Sequence, residues 1–101
     1  MQLQALVAEF NQSHQKSIGR SARVLDLASE VGEVCKLAFS EDMGGFVSLE
    51  KWEEELGDSL YSLLSLMCEQ KIDAEQALLN VIKKYQSRIL KQGSMSSSRG
   101  T

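Results

Sequence analysis

An all-α fold, a four-helix antiparallel bundle completed by dimerisation, is predicted by three observations. Proline is absent, the β-branched clusters that mark strands are missing, and apolar residues recur at helical spacing in four separate segments. A length of 101 residues makes one small domain. Hydrophobic residues are 43% and charged residues 25% of the chain, the usage of an ordinary folded protein, which argues against wholesale disorder. The 14 acids and 11 bases give a net charge of -3, and the bases are dispersed, so no nucleic-acid polymer is expected as a partner.

In the first segment Leu3, Leu6, Val7 and Phe10 stand at i, i+3, i+4 and i+7, and Ser17-Ile18-Gly19 is expected to close the helix with its glycine. Ser21 is expected to cap the second helix, whose stripe is Val24, Leu27, Ala28, Val31, Val34, Cys35 and Ala38 and which should run to about Ser40. Glu41-Asp42-Met43-Gly44-Gly45 reads as a turn. Ser48 then caps a third helix, with Val47 and Trp52 in the positions of a hydrophobic staple and Leu49, Trp52, Leu56, Leu60, Leu63, Leu64 and Met67 as its stripe. Asp73 and Gln76 resemble a capping box opening a fourth helix, lined by Leu78, Val81, Ile82, Tyr85 and Ile89. The helical domain is thus expected over 1–92. Residues 93–101 are rich in serine and glycine and are expected to form a disordered tail.

No apolar run approaches the ~20 residues that span a bilayer, and Gln2, Gln4 and Glu9 stand where a signal peptide would carry its basic and apolar regions. No membrane partner and a cytoplasmic location are therefore expected. Cys35 and Cys68 fall inside helical segments, far from any disulfide framework, which suits a reducing compartment. A core of this size is thin. Leu37 and Leu66 sit roughly 120° off their stripes, where a lone bundle would want polar groups, so a partner subunit is expected to cover them.

The second and third helices echo each other. Glu30-Val31-Gly32-Glu33 and Glu55-Leu56-Gly57-Asp58 are both acid, aliphatic, glycine, acid. Residues three apart on a helix differ by about 60°, so each pair puts two carboxylates on one face, away from the apolar stripe. If the two helices form a hairpin, four carboxylates converge, and such a cluster is costly unless protonated or neutralised by cations. Oxygen-only ligands select hard cations, Mg2+ with Mn2+ as a substitute, and substrate phosphates typically complete the shell. Gly32 and Gly57 each cost ~1 kcal/mol relative to alanine in a helix and suggest close approach by backbone or ligand. A di-iron bundle is excluded, because it needs Glu-x-x-His and the only histidine, His14, is on the first helix. No EF-hand, zinc or P-loop pattern occurs.

At these residues the chain resembles the MazG family of nucleoside triphosphate pyrophosphohydrolases, over roughly Leu3 to Ile89. The family signature is E-x-x-E on one helix and E-x-x-D on the next, matched by Glu30 and Glu33, then Glu55 and Asp58. Many members carry a further acid before the first pair, where Ser29 stands here. The resemblance implies a helical Mg2+-dependent enzyme that hydrolyses a nucleoside triphosphate, deoxy or non-standard, to the monophosphate and pyrophosphate as a house-cleaning activity. It implies Glu30, Glu33, Glu55 and Asp58 as metal ligands, and leaves Glu33 and Glu54 as alternative proton acceptors. Lys84 and Arg88 fit a family patch that faces the phosphates, with Tyr85 where asparagine is common. His14 and Trp52 lie on or near apolar stripes and are candidates for packing or for lining a base pocket. Short family members assemble as dimers or dimers of dimers, which agrees with the expected homo-oligomer. Two rival readings are a phosphoribosyl-ATP pyrophosphohydrolase, with the same site and a different base pocket, and a non-enzymatic helical adaptor.

Overall fold

In the computed structural model residues 2–14 and 18–92 are described. They form α1 (Gln2–His14), α2 (Arg20–Asp42), α3 (Leu49–Glu69) and α4 (Ala74–Gln92), and no strand occurs among the described residues. The fold is the all-α bundle that the sequence predicts. The expected tail, 93–101, and Ser17 lie outside the described residues. Among the described residues no helix is long and apolar enough to cross a membrane.

Local chemistry explains most helix ends. Ser48 caps α3 as expected, its Oγ accepting from the Lys51 N–H at 3.1 Å. Gly19, expected to end the first helix, instead opens α2: it is the N-cap, with φ 86° and no side-chain cap bond, and Ser21 lies inside the helix. Glycine reaches that left-handed φ without the steric penalty other residues meet. α2 continues to Asp42 before Gly44, at φ 91°, turns the chain.

The capping box expected at α4 does not close. Gln76 Nε2 donates to Asn80 Oδ1 at 3.0 Å instead, and the start of α4 is held from α1. Gln4 Nε2 donates to the Ile72 carbonyl at 2.7 Å while its Oε1 accepts from the Ala74 N–H at 2.9 Å. One amide thus spans the α3–α4 turn and supplies an acceptor to a helix N–H that has none within its own helix. Gln4→Ala should lower stability by about 1 kcal/mol, the usual cost of a lost N-cap, read as a drop in Tm.

The face that α2 presents to α3 differs from expectation. Across the hairpin, Ser62 Oγ donates to Asp26 Oδ2 at 2.6 Å and Arg23 Nε lies 3.8 Å from Glu69 Oε2. Arg23, Glu55, Ser62 and Ser65 are all buried. Much of each apolar stripe is open instead: Val24 and Val31 on α2 and Leu56, Leu60 and Leu63 on α3 are 40–51% exposed, while Leu64 of the expected α3 stripe is buried. The expectation is accordingly corrected for Leu37, which is buried at 9% within the single chain, whereas Leu66 is half-buried. The two acidic faces meet through hydrogen bonds and ion pairs, which draws the off-stripe Leu37 inward and turns much of each stripe out.

α1 packs on α3 through an aromatic and amide cluster. Tyr61 donates its hydroxyl to Asn11 Oδ1, Asn11 Nδ2 donates to the fully buried Ser65 Oγ at 3.1 Å, and Phe10 meets the Tyr61 ring edge-on. α4 makes few contacts with the other helices, and Leu78, Ile82 and Ile89 on it are exposed.

Candidate metal centre

The hairpin positions the acids. Because α2 and α3 run antiparallel with Asp26 opposite Ser62, Glu30 falls one turn further along and opposite Asp58. Glu30, Glu55 and Asp58 each offer a carboxylate oxygen, and the three oxygens lie within 4.8 Å of one another. Glu55 is buried, Glu30 half-buried and Asp58 exposed, so the group has a closed floor and an open mouth.

Its electrostatics show crowded negative charge. Desolvation, and then the charges of Asp58, Asp26, Glu55 and Glu33, raise the Glu30 carboxyl above its ordinary value. Lys51 provides partial neutralisation: its Nζ is 2.9 Å from Glu55 Oε2 and 3.7 Å from Glu54 Oε1. The hydrogen bond to Glu55 is the main reason that the Lys51 ammonium is held above its usual pKa. An all-carboxylate donor set of this kind fits a hard divalent cation, which would satisfy the oxygens and relieve the repulsion together. Lys51 competes with such a cation for Glu55. Lys51→Met should therefore raise Mn2+ affinity several-fold, measured by calorimetry, and unchanged or weaker binding would refute the competition.

The four acids singled out in the sequence are not equally placed. Glu33 stands outside the close trio, its Oε2 paired with Lys36 Nζ at 3.3 Å. Glu54 is exposed on α3 beside Lys51. Lys84 and Arg88 flank the Tyr85 ring, at 5.5 and 5.8 Å from its centroid, on the loosely packed α4. Trp52 is half-buried near the α2–α3 turn, where its Nε1 donates to Glu41 Oε2 at 3.1 Å. His14 is exposed and stacked on Phe10, with centroids 4.8 Å apart. A Cβ at Gly32 or Gly57 would meet nothing within 4 Å, so no described part of the chain makes the close approach expected there.

Sequence reasoning missed Asp26, Arg23 and Ser62. Asp26 lies one turn before Glu30 on α2, and all three residues line a cavity of about 370 Å3 that also touches Glu30 and Asp58. The i, i+4 spacing of Asp26 and Glu30 was the available signal. Ser62 had none, because a serine on a helix carries no periodic mark of burial.

No curated protein and no solved structure shows significant similarity to the chain. The model of one family does match, that of the MazG nucleotide pyrophosphohydrolase domain, and it runs from residue 12 to residue 91. That span takes in the whole acidic hairpin and nearly all of α4. On this match the chain belongs to the MazG nucleotide pyrophosphohydrolase domain family.

Proposed function

We propose that this nucleotide pyrophosphohydrolase domain hydrolyses nucleoside or deoxynucleoside triphosphates to the monophosphate and pyrophosphate, with Mg2+ as its metal and Mn2+ as a substitute. The observation that carries the reading is the convergence of Glu30, Glu55 and Asp58 from two helices within 4.8 Å. Glu33, the fourth acid of the repeated pattern, lies one turn from Glu30 and joins the set once Lys36 releases it. When bound, the metal supplies positive charge to the phosphate oxygens and acidifies a water.

The chain's own groups do the rest. The buried Glu55 and the half-buried Glu30 hold fixed orientations, which sets where phosphate oxygens must lie relative to the hairpin. Lys84 and Arg88 on α4 meet the outer phosphates as point and forked donors. One carboxylate outside the close trio takes the proton of the attacking water, and Glu33 and Glu54 are the two candidates. Glu33→Gln and Glu54→Gln separate them: the acceptor is the one whose loss lowers kcat at saturating Mn2+, and Glu33→Gln should in addition weaken Mn2+ binding, since Glu33 joins the metal set.

The working form is a homodimer or a dimer of dimers. The exposed stripes of α2 and α3 and the loosely packed α4 support this, because each leaves apolar surface that a second copy would cover. Cytoplasmic clearance of unwanted nucleotides is the role that suits such an activity. The test is a panel of all NTPs and dNTPs, with phosphoribosyl-ATP added, assayed for pyrophosphate release with and without Mg2+. Metal-dependent pyrophosphate release is the expected result; release from none would leave a helical adaptor. Calcium should bind the same carboxylates yet support little hydrolysis, since its longer and looser coordination does not hold the compact in-line geometry. Equal rates in Ca2+ and Mg2+ would contradict this.

A further inference from the structure

The cavity beside the carboxylate trio has a second end with different chemistry. There Arg23 is 3% exposed, its nearest ion-pair partner is Glu69 at 3.8 Å, and its Nε is buried without a hydrogen bond. A buried guanidinium N–H without an acceptor is costly, and such a donor persists where a ligand supplies the acceptor. Asp26 stands one turn along α2 from Arg23, lining the same cavity, with one carboxylate oxygen engaged by Ser62 at 2.6 Å. Ile18 and Tyr61 line the cavity as well, and Glu30 and Asp58 line it on the side of the trio. Apart from those two metal-site carboxylates, the cavity thus combines an aliphatic and an aromatic side chain with one fixed acceptor and one unsatisfied donor.

We propose that this cavity seats the nucleobase, with Asp26 accepting a hydrogen bond from a ring N–H or amino group and Arg23 donating to a ring nitrogen or carbonyl oxygen. The proposal rests on the nucleotide reading above and names two specificity-determining residues for it. Charge decides which part of the nucleotide lies here. Asp26 stands between Arg23 and Glu30 along α2, so a phosphate reaching toward Arg23 would face its carboxylate, whereas a neutral base would not. The triphosphate is left to the trio and to the bases of α4. A planar ring against Tyr61 and Ile18, fixed by a few polar groups, is the usual composition of a small-molecule site. Reading an edge through one donor and one acceptor gives discrimination, because the wrong base leaves a buried group unpaired.

The test is equilibrium binding of α,β-imido triphosphates of the four common bases, in Mg2+, to wild type, Asp26→Asn and Ser62→Ala. Asp26→Asn keeps the shape, but with the amide oxygen still accepting from Ser62 the free position becomes a donor in place of an acceptor. It should change the ratio of affinities between the best and worst base by about tenfold or more, with helical content unchanged. Ser62→Ala, which frees the orientation of Asp26, should narrow the same ratio and guards against a folding defect in the first variant. Equal weakening of all four nucleotides, or an unchanged ratio in both variants, would overturn the proposal. Base-selective binding without pyrophosphate release would overturn the assigned reaction and leave the base site standing; binding of none of the four would overturn the base site.

Discussion

Glu30→Gln, Glu55→Gln and Asp58→Asn should each lower kcat/KM by on the order of 10²-fold or more while raising the Tm of the metal-free protein. The two effects share one cause. The three carboxylates lie within 4.8 Å of one another, so the apo protein carries like-charge repulsion that a neutral isostere relieves, and the same substitution removes a ligand. The pH dependence gives a sharper version. The Glu30 carboxyl is raised above 4.5 in the folded protein, first by desolvation and then by the neighbouring acids. The folded state therefore binds the proton more tightly than the unfolded chain, and stability falls as pH rises from about 4.5 through the raised value, then levels off. The Tm advantage of Glu30→Gln over wild type should be small at pH 4, grow through that window, and vanish when saturating Mg2+ is added to wild type. A Tm difference independent of pH would refute the electrostatic account. Activity near wild type in any two of the three variants would remove the site.

Leu60→Glu should convert the assembled protein to monomer in sedimentation or light scattering, with activity falling in parallel. Leu60 and Leu63 are 44% and 40% exposed on α3, and Val24 and Val31 on α2 are 46% exposed, so both helices of the acidic hairpin carry uncovered apolar stripes. Burying one leucine contributes ~1.5 to 3 kcal/mol, and a two-fold axis repeats each contact, so a charge there should weaken association by on the order of 10²-fold or more. Leu37→Ala provides the contrast. Leu37 is buried within one chain, so its truncation should cost about 2 to 5 kcal/mol of folding stability without selectively changing the association constant. Wild type that is monomeric at micromolar concentration and fully active would refute the assembly.

Much of the fold was legible in the chain because helices advertise themselves locally. The stripes from Leu3 to Phe10 and from Leu49 to Met67 repeat at the helical period, and Ser48 occurs where a cap is needed, so helix existence and the start of α3 followed from neighbours in sequence. The end of the first helix and the start of α4 were less legible for the opposite reason. Gly19 terminates or initiates equally well, and the acceptor for the Ala74 N–H comes from Gln4, seventy residues away. No local pattern carries such a bond.

The sequence by itself determined that there are four helices, that α2 and α3 bear matched acidic pairs, and that those pairs would share a face if the helices formed a hairpin, since all three depend only on spacing along the chain. Tertiary structure alone decided which face of each helix looks inward. Periodicity identifies an apolar stripe without saying whether its cover comes from the same chain, and here the acidic faces meet while Val31 and Leu60 stay open. It also decided that Glu30, Glu55 and Asp58 close together while Glu33 pairs with Lys36, because the meeting point of two helices depends on their axial register. That register is settled by contacts such as Asp26 with Ser62, whose partners lie thirty-six residues apart and share no periodic signal.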